Sequence, residues 1–276
     1  MSRKGKRLMW SLILVPLAIY LLICGILFFA QTRLLLPIAQ VASAGPPPAG
    51  AERLELAAAS GERLRGLHIP PTHPAADPLL LLGFGGNAWN AESMADLLAE
   101  LYPEADIVTF HYRGYPPSEG SPGAPAMQDD ALRVFDFARA RFPSRRIIAV
   151  GFSVGSGVAA SLAAHRPLDG LILVTAFDSL GCVAAAQFPW LPVRLLFRNN
   201  LDPAEDLAGS PVPVALIAAG RDGLVLPERT EALRRAVPHL VFDRTIAFAD
   251  HNNIYRHPAF APTMREALAR VLADGR

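Results

Sequence analysis

Arg146-Ile147-Ile148-Ala149-Val150-Gly151-Phe152-Ser153-Val154-Gly155-Ser156-Gly157 is the stretch that decides the reading of this chain. An apolar run leads into G-x-S-x-G, and small residues then dominate as far as Arg166. The pattern predicts a strand, a sharp turn and a helix, with Ser153 at the turn. Glycines two residues to either side let the backbone bend there without Cβ clashes. Ser156, Gly157, Ala159, Ala160, Ala163 and Ala164 let such a helix lie close against a sheet, with its first N–H groups facing a developing oxyanion. Ser153 is the candidate nucleophile. The plain alternative is a tight turn that carries an inert serine.

The chain around this stretch has 276 residues, of which 51% are hydrophobic, enough for one large core in one catalytic domain. Lys and Arg number 26 against 25 Asp and Glu, and no Lys follows Lys6. Charge this balanced, with no basic stripe interleaved with aromatics, argues against a nucleic-acid partner. The two cysteines, Cys24 and Cys182, lie in unlike settings and imply neither a disulfide framework nor a zinc site.

Residues 8–30 carry no charged side chain. As a helix they would extend roughly 34 Å, enough to cross a bilayer core. Arg3, Lys4, Lys6 and Arg7 precede the run, and Ala42-Ser43-Ala44 offers the small residues of a cleavage site, so a cleaved signal peptide is the competing reading. The run exceeds the roughly 7 to 15 residues of a signal's apolar region, which favours a retained anchor; Pro16 is tolerated in a membrane helix. Four basic residues before the run, against Arg33 alone close after it, predict a cytoplasmic N-terminus. The catalytic domain would then lie outside the cytoplasm, on the periplasmic face in a bacterium. The expected organisation is a basic tail and anchor over 1–33, a linker with Pro46, Pro47 and Pro48 over 34–53, and a catalytic domain over 54–276.

Within that domain, 54–57 and 64–69 read as a strand pair around Ser60-Gly61, and Pro70, Pro71, Pro74 and Pro78 then break regular structure. Further strands are predicted over 79–82, 107–110, 147–150, 171–174, 214–218 and 241–247. Helices are predicted over 92–101, 127–141, 154–165, 228–237 and 263–272. Most of the strand segments are continuous apolar runs, as in parallel strands buried on both faces. This alternation predicts a mostly parallel, doubly wound α/β sheet with its ligands at the C-terminal strand ends.

A serine nucleophile needs a base, a carboxylate to orient that base, and two N–H donors for the oxyanion. On a sheet of this kind the acid and then the histidine follow the serine in the chain. Asp222, on the loop after the strand that ends near Ala218, is the candidate acid; His251, after the last strand, is the candidate base. Asp178 also follows a strand and competes with Asp222, whereas Asp250 is adjacent to His251 and poorly placed to orient it. The loop Gly83-Phe84-Gly85-Gly86-Asn87-Ala88 should supply one oxyanion donor through the Asn87 N–H, and the Val154 N–H the other. The same loop matches the dinucleotide pattern G-x-G-x-x-A. An NADP-binding reductase is the rival reading, since the next strand ends in His111-Tyr112-Arg113 rather than in an acid.

Gly86-Asn87-Ala88, Tyr112-Arg113-Gly114-Tyr115, Ser118-x-Gly120, the elbow, Asp222 and His251 together resemble the α/β-hydrolase superfamily, and within it the membrane-anchored Bem46-like group. The similarity extends from about residue 54 onward. It implies a Ser153-Asp222-His251 triad that acts on carboxylic esters, thioesters or lipids, with lipases and peptidases among the relatives and no cofactor or metal. Gly85 departs from the pattern, standing where the family usually has a structural histidine before Gly-Asn. It is the hint for the alternative of a non-catalytic scaffold that binds a lipid or a partner protein. Between 180 and 206 the alternation lapses, and Phe188-Pro189-Trp190-Leu191-Pro192-Val193 predicts either a small apolar cap over the site or a plain helix at the sheet edge.

Overall fold

A computed structural model describes residues 3–143 and 145–274, with side chains from Trp10 onward. The side chains of the basic cluster, and Met1, Ser2, Ser144, Gly275 and Arg276 of the expected tail and domain, lie outside the described residues. Helix α1 (Arg3–Leu35) comes first, followed by the antiparallel pair β1 (Glu52–Ala57) and β2 (Arg63–Ile69). The alternating section runs β3 (Leu79–Phe84), α2 (Ala91–Leu101), β4 (Asp106–Phe110), α3 (Ala124–Arg141), β5 (Arg146–Phe152), α4 (Val154–His165) and β6 (Gly170–Val174). Three short helices then intervene: α5 (Leu180–Gln187), α6 (Val193–Leu196) and α7 (Pro203–Leu207). After them come β7 (Val214–Ala219), α8 (Pro227–Ala236), β8 (Leu240–Ile246) and α9 (Phe260–Asp274).

The strands form one sheet in the order β1-β2-β4-β3-β5-β6-β7-β8, antiparallel at β1-β2-β4 and parallel from β4 onward. This is the mostly parallel, doubly wound sheet that the alternation predicts, in the α/β-hydrolase arrangement that the resemblance implies. Side chains alternate across the sheet as the two-residue period of a strand requires. Leu80, Leu82, Ala149, Leu171 and Leu173 meet the side of α3 and α4, while Leu81, Ile148, Val150, Ile172 and Ile217 meet that of α2 and α9. β8 lies at the edge, and its exposed Asp243 and Arg244 discourage pairing with another chain. Because the chain passes from β3 to β4 on one side and then to β5 on the other, the crevice at the switch point opens between the ends of β3 and β5. The glycine loop and Ser153 both lie there.

Residues 34–53, expected as a linker, rest on the domain. Leu36 is buried in the core, and Leu35, Ile38 and Val41 pack against it. Burying one such leucine contributes about 1.5–3 kcal/mol, comparable to a hydrogen bond or two, so the segment is held to the domain by its own apolar residues.

The elbow explains why its two glycines stand where they do. A Cβ on Gly151 would sit 2.5 Å from the Gly155 carbonyl oxygen, and one on Gly155 would sit 2.1 Å from the Phe84 carbonyl oxygen. Both obstacles are backbone and cannot turn aside. Gly155→Ala is therefore expected to cost about 1–3 kcal/mol of stability, or to prevent folding, whereas Gly209→Ala, which meets nothing within 4 Å, should be neutral within about 0.5 kcal/mol. Thermal unfolding of the two detergent-solubilised variants checks this contrast.

Candidate active site

Ser153 ends the β5 turn at φ 51 and ψ −119, a conformation that L-residues adopt only under constraint. Its N–H donates to the Val174 carbonyl on β6 at 2.9 Å, which fixes the turn to the sheet. The hydroxyl then projects from the C-terminal end of the sheet and donates to His251 Nε2 at 2.8 Å. His251 Nδ1 donates in turn to Asp222 Oδ2 at 2.7 Å. Since a carboxylate only accepts, the Nδ1–H tautomer follows, and Nε2 is left free to accept a proton from serine. All three residues are buried, so the line is shielded from competing water.

Each partner is held by its own loop. Asp222 Oδ1 accepts the N–H groups of Leu224 at 2.9 Å and Val225 at 2.8 Å, which leaves Oδ2 to the histidine. Asp250 folds the turn that presents His251 by accepting from the N–H groups of Asn252 and Asn253, both at 2.9 Å. Behind the imidazole loop, Tyr255 packs edge-on against Phe152 and Phe260, and burial pushes its hydroxyl up to about 12, with the Asp222 charge adding to the shift. The competitor Asp178 lies elsewhere. Its Oδ2 accepts from Arg229 Nη1 at 3.0 Å, and burial raises its carboxyl above the ordinary carboxylate range.

Asn87, Val154 and Ser153 all line one cavity, so the two residues expected to donate to an oxyanion share a wall with the serine. Gly86 lies against the serine, since a Cβ on it would be 3.6 Å from Ser153 Cβ. What holds this loop was not legible as a role in the sequence. The Tyr112 hydroxyl donates to the Gly85 carbonyl at 2.9 Å and the Tyr115 hydroxyl to the Asn87 carbonyl at 2.6 Å, so two phenols pin the loop from behind. The signal was the pair of tyrosines around Arg113-Gly114. Arg113 forks onto Asp130 of α3, and Ser118 joins His111 to Arg65, so the rest of that motif holds the loop that carries the phenols. The dinucleotide reading fits poorly. Asn90 caps α2 through the Glu92 N–H, and the acid in the first turn opposes a phosphate.

Residues 180–197 of the stretch from 180 to 206 form the small cap, while Leu201 and α7 pack against α4. With α1 and the Asp222 loop the cap encloses an apolar cavity of about 330 Å³ that reaches Ser153. Leu27, Phe28, Gln31 and Leu35 of α1 form one wall. Sequence reasoning missed this wall, although Gln31 and Thr32, polar at the end of an apolar helix, were a sign of docking. A second, open cavity of about 490 Å³ borders His251 and is lined by Asp250, Asn252, Asn253 and Arg256. Among the described residues, no group of three or more His, Cys, Asp or Glu is placed to hold a metal.

A doubly wound sheet with a serine elbow at its switch point, and an acid and a histidine on later strand ends, defines a class of hydrolase-like proteins. The chain belongs to the α/β-hydrolase family. A family model of the alpha/beta hydrolase fold matches residues 78–212. The uncharacterized protein Rv2307c of Mycobacterium tuberculosis is 32% identical over 200 residues, covering 69% of this chain and 71% of the relative. Lysophosphatidylserine lipase ABHD12 of Mus musculus is 34% identical over a shorter stretch of 116 residues, 38% of this chain and 29% of the lipase. Among solved structures, the esterase Pf2001 of Pyrococcus furiosus superposes with a TM-score of 0.68 at 18% identity, over 83% of this chain and 97% of the esterase. At that identity the likeness is one of fold.

The low-field proton resonance of the His251 Nδ1–H tests the hydrogen-bonded line without any substrate. Asp222→Asn is expected to abolish it and Asp178→Asn to preserve it, as checked by one-dimensional proton NMR of the solubilised protein.

Proposed function

We propose that this chain is a membrane-anchored serine hydrolase that cleaves carboxylic esters or thioesters through Ser153, His251 and Asp222. The observation that carries the reading is the unbroken line from Asp222 Oδ2 through His251 to Ser153 Oγ, with the serine held at a strained elbow. His251 Nε2 takes the hydroxyl proton as Ser153 Oγ bonds to the acyl carbon, and Asp222 stabilises the imidazolium. The oxyanion faces the N–H groups of Asn87 and Val154. On collapse the alcohol or thiol leaves with the proton from Nε2. A water then gives a proton to the same nitrogen as it attacks the acyl-enzyme; on collapse the Ser153 Oγ–acyl bond breaks, Oγ takes that proton back from Nε2, and the acid is released. The esterase and lipase relatives support the bond class, and the apolar cavity beside Ser153 supports a hydrophobic acyl group.

A fluorophosphonate probe, which labels only an activated serine, is expected to modify the wild type and not Ser153→Ala. His251→Ala and Asp222→Asn should each lower kcat on p-nitrophenyl esters by about 10⁴-fold, with little further loss when either is combined with Ser153→Ala. Losses that multiply instead would count against one triad.

The apolar helix supports a retained anchor. Cleavage after Ala44 would remove Leu36 from the core and take α1 from the cavity wall. The basic residues ahead of it support a cytoplasmic N-terminus and an extracytoplasmic catalytic domain. Alkaline phosphatase fused after Gly50 should be active and green fluorescent protein at the same point dark. The opposite pattern would place the domain in the cytoplasm.

A further inference from the structure

Helix α1 is longer than a bilayer needs. Its 33 residues rise about 50 Å, while a hydrocarbon core takes about 20 residues, or roughly 30 Å. Counted from Leu8, directly after the basic cluster, 20 residues end near Leu27. At that level the helix changes from bare to docked. The large apolar side chains from Trp10 to Ile23 are exposed; from Cys24, which is buried, one side of the helix is docked, with Leu27, Phe28, Gln31 and Leu35 lining the cavity that reaches Ser153, while Ile26, Phe29 and Leu34 stay exposed.

Polar contacts fix the height of the cap on this helix. Gln31 Nε2 donates to the Leu196 carbonyl at 3.0 Å, the Arg198 N–H donates to Gln31 Oε1 at 2.7 Å, and Asn199 Nδ2 donates to Thr32 Oγ1 at 2.9 Å. The cap also reaches further down. The Tyr20 hydroxyl donates to the Trp190 carbonyl at 3.0 Å, and Tyr20 lies seven residues, or about 10 Å, below Leu27. Trp190 and the nearby Phe188 are 53% and 50% exposed, and Leu195, next to the Leu196 carbonyl that Gln31 meets higher up, is 82% exposed. Exposed apolar side chains at this depth suit hydrocarbon rather than water. The exposed members of the cavity lining, Leu34, Gln187, Phe188, Pro192 and Leu224, mark a mouth that runs from this depth up to headgroup level. Leu224 also borders the open cavity beside His251.

We propose that the tip of the cap lies within the bilayer beside α1 and that the site takes long-chain acyl esters directly from the surrounding leaflet. The tail enters the apolar cavity between cap and helix, the carbonyl reaches Ser153, and the polar portion rests on the side of His251 and Arg256. In this arrangement the anchor is part of the substrate site, and Leu27 sets the acyl length that fits. The inference rests on the serine-hydrolase and anchor readings above, and its test separates from theirs.

The full chain in phosphatidylcholine nanodiscs provides the test. First, nanodiscs containing bromine-labelled acyl chains should quench tryptophan emission, and Trp190→Phe should remove a clear share of the quenched signal; an unchanged quenched share would put the cap tip in water and overturn the proposal. Second, Leu27→Trp should lower the ratio of kcat/KM for p-nitrophenyl palmitate over p-nitrophenyl acetate at least tenfold, while Leu27→Ala, which cannot overfill the cavity, should shift the preferred chain upward. If both variants keep the wild-type ratio, α1 is no wall of the site and the proposal fails. A wild type that neither labels with fluorophosphonate nor turns over either ester would instead sink the hydrolase reading, with the quenching result still deciding where the cap lies.

Discussion

The structure depends on how closely three stretches of backbone approach one another at the end of β5. Gly155 lies so near the Phe84 and Gly85 carbonyls that any Cβ would collide with them, and Gly151 lies as near the first turn of α4. That crowding forces Ser153 into its positive φ, directs its side chain away from the sheet, and sets the glycine loop of β3 beside it. Ser153 and the glycine loop are thus brought together by sterics before any hydrogen bond is counted. Strain of this sort costs on the order of 1–3 kcal/mol and persists because the buried strands on either side allow no alternative path.

Hydrogen bonds then refine what the crowding brings together. The loop after β4 ties itself down through Ser118 and through the Arg113–Asp130 pair, and from that support Tyr112 and Tyr115 hold the carbonyls of Gly85 and Asn87. Gly85 stands where the resemblance implies a histidine, and its Cβ position would meet only ordinary contacts with Met94 and Trp89. The rigidity of the loop is supplied from its other side. On the far strands, Asp222 is likewise held by two backbone N–H groups before it meets the imidazole.

The sheet was legible because most central strands are unbroken apolar runs and most turns carry Gly or Pro; all eight strand segments appear within a few residues of their expected bounds. Ser153, Asp222 and His251 were legible because strand ends in a doubly wound sheet converge on one edge, so position in the chain stands in for position in space. Their meeting is geometry, and their catalytic role is the proposal. The preference for Asp222 over Asp178 has a visible cause in the structure, since Arg229 already occupies Asp178. The cap's outline and the docking of α1 were not legible. Periodicity marks a helix as apolar but does not distinguish a face turned to lipid from one turned to a cavity, and only Gln31, Thr32 and their partners on residues 196–199 make that distinction.

The seating of α1 on the cap has a consequence for how such an enzyme meets its substrate. A domain on a loose tether tumbles above a membrane and samples every orientation, whereas here the helix and the catalytic domain share hydrogen bonds and the burial of Leu36, so they move as one piece. With α1 in a bilayer, height and tilt of the site are fixed, and encounter becomes a search in two dimensions rather than three. On the reading proposed above, the quantity that governs saturation is the mole fraction of ester in the leaflet, and diluting the membranes in buffer leaves it unchanged.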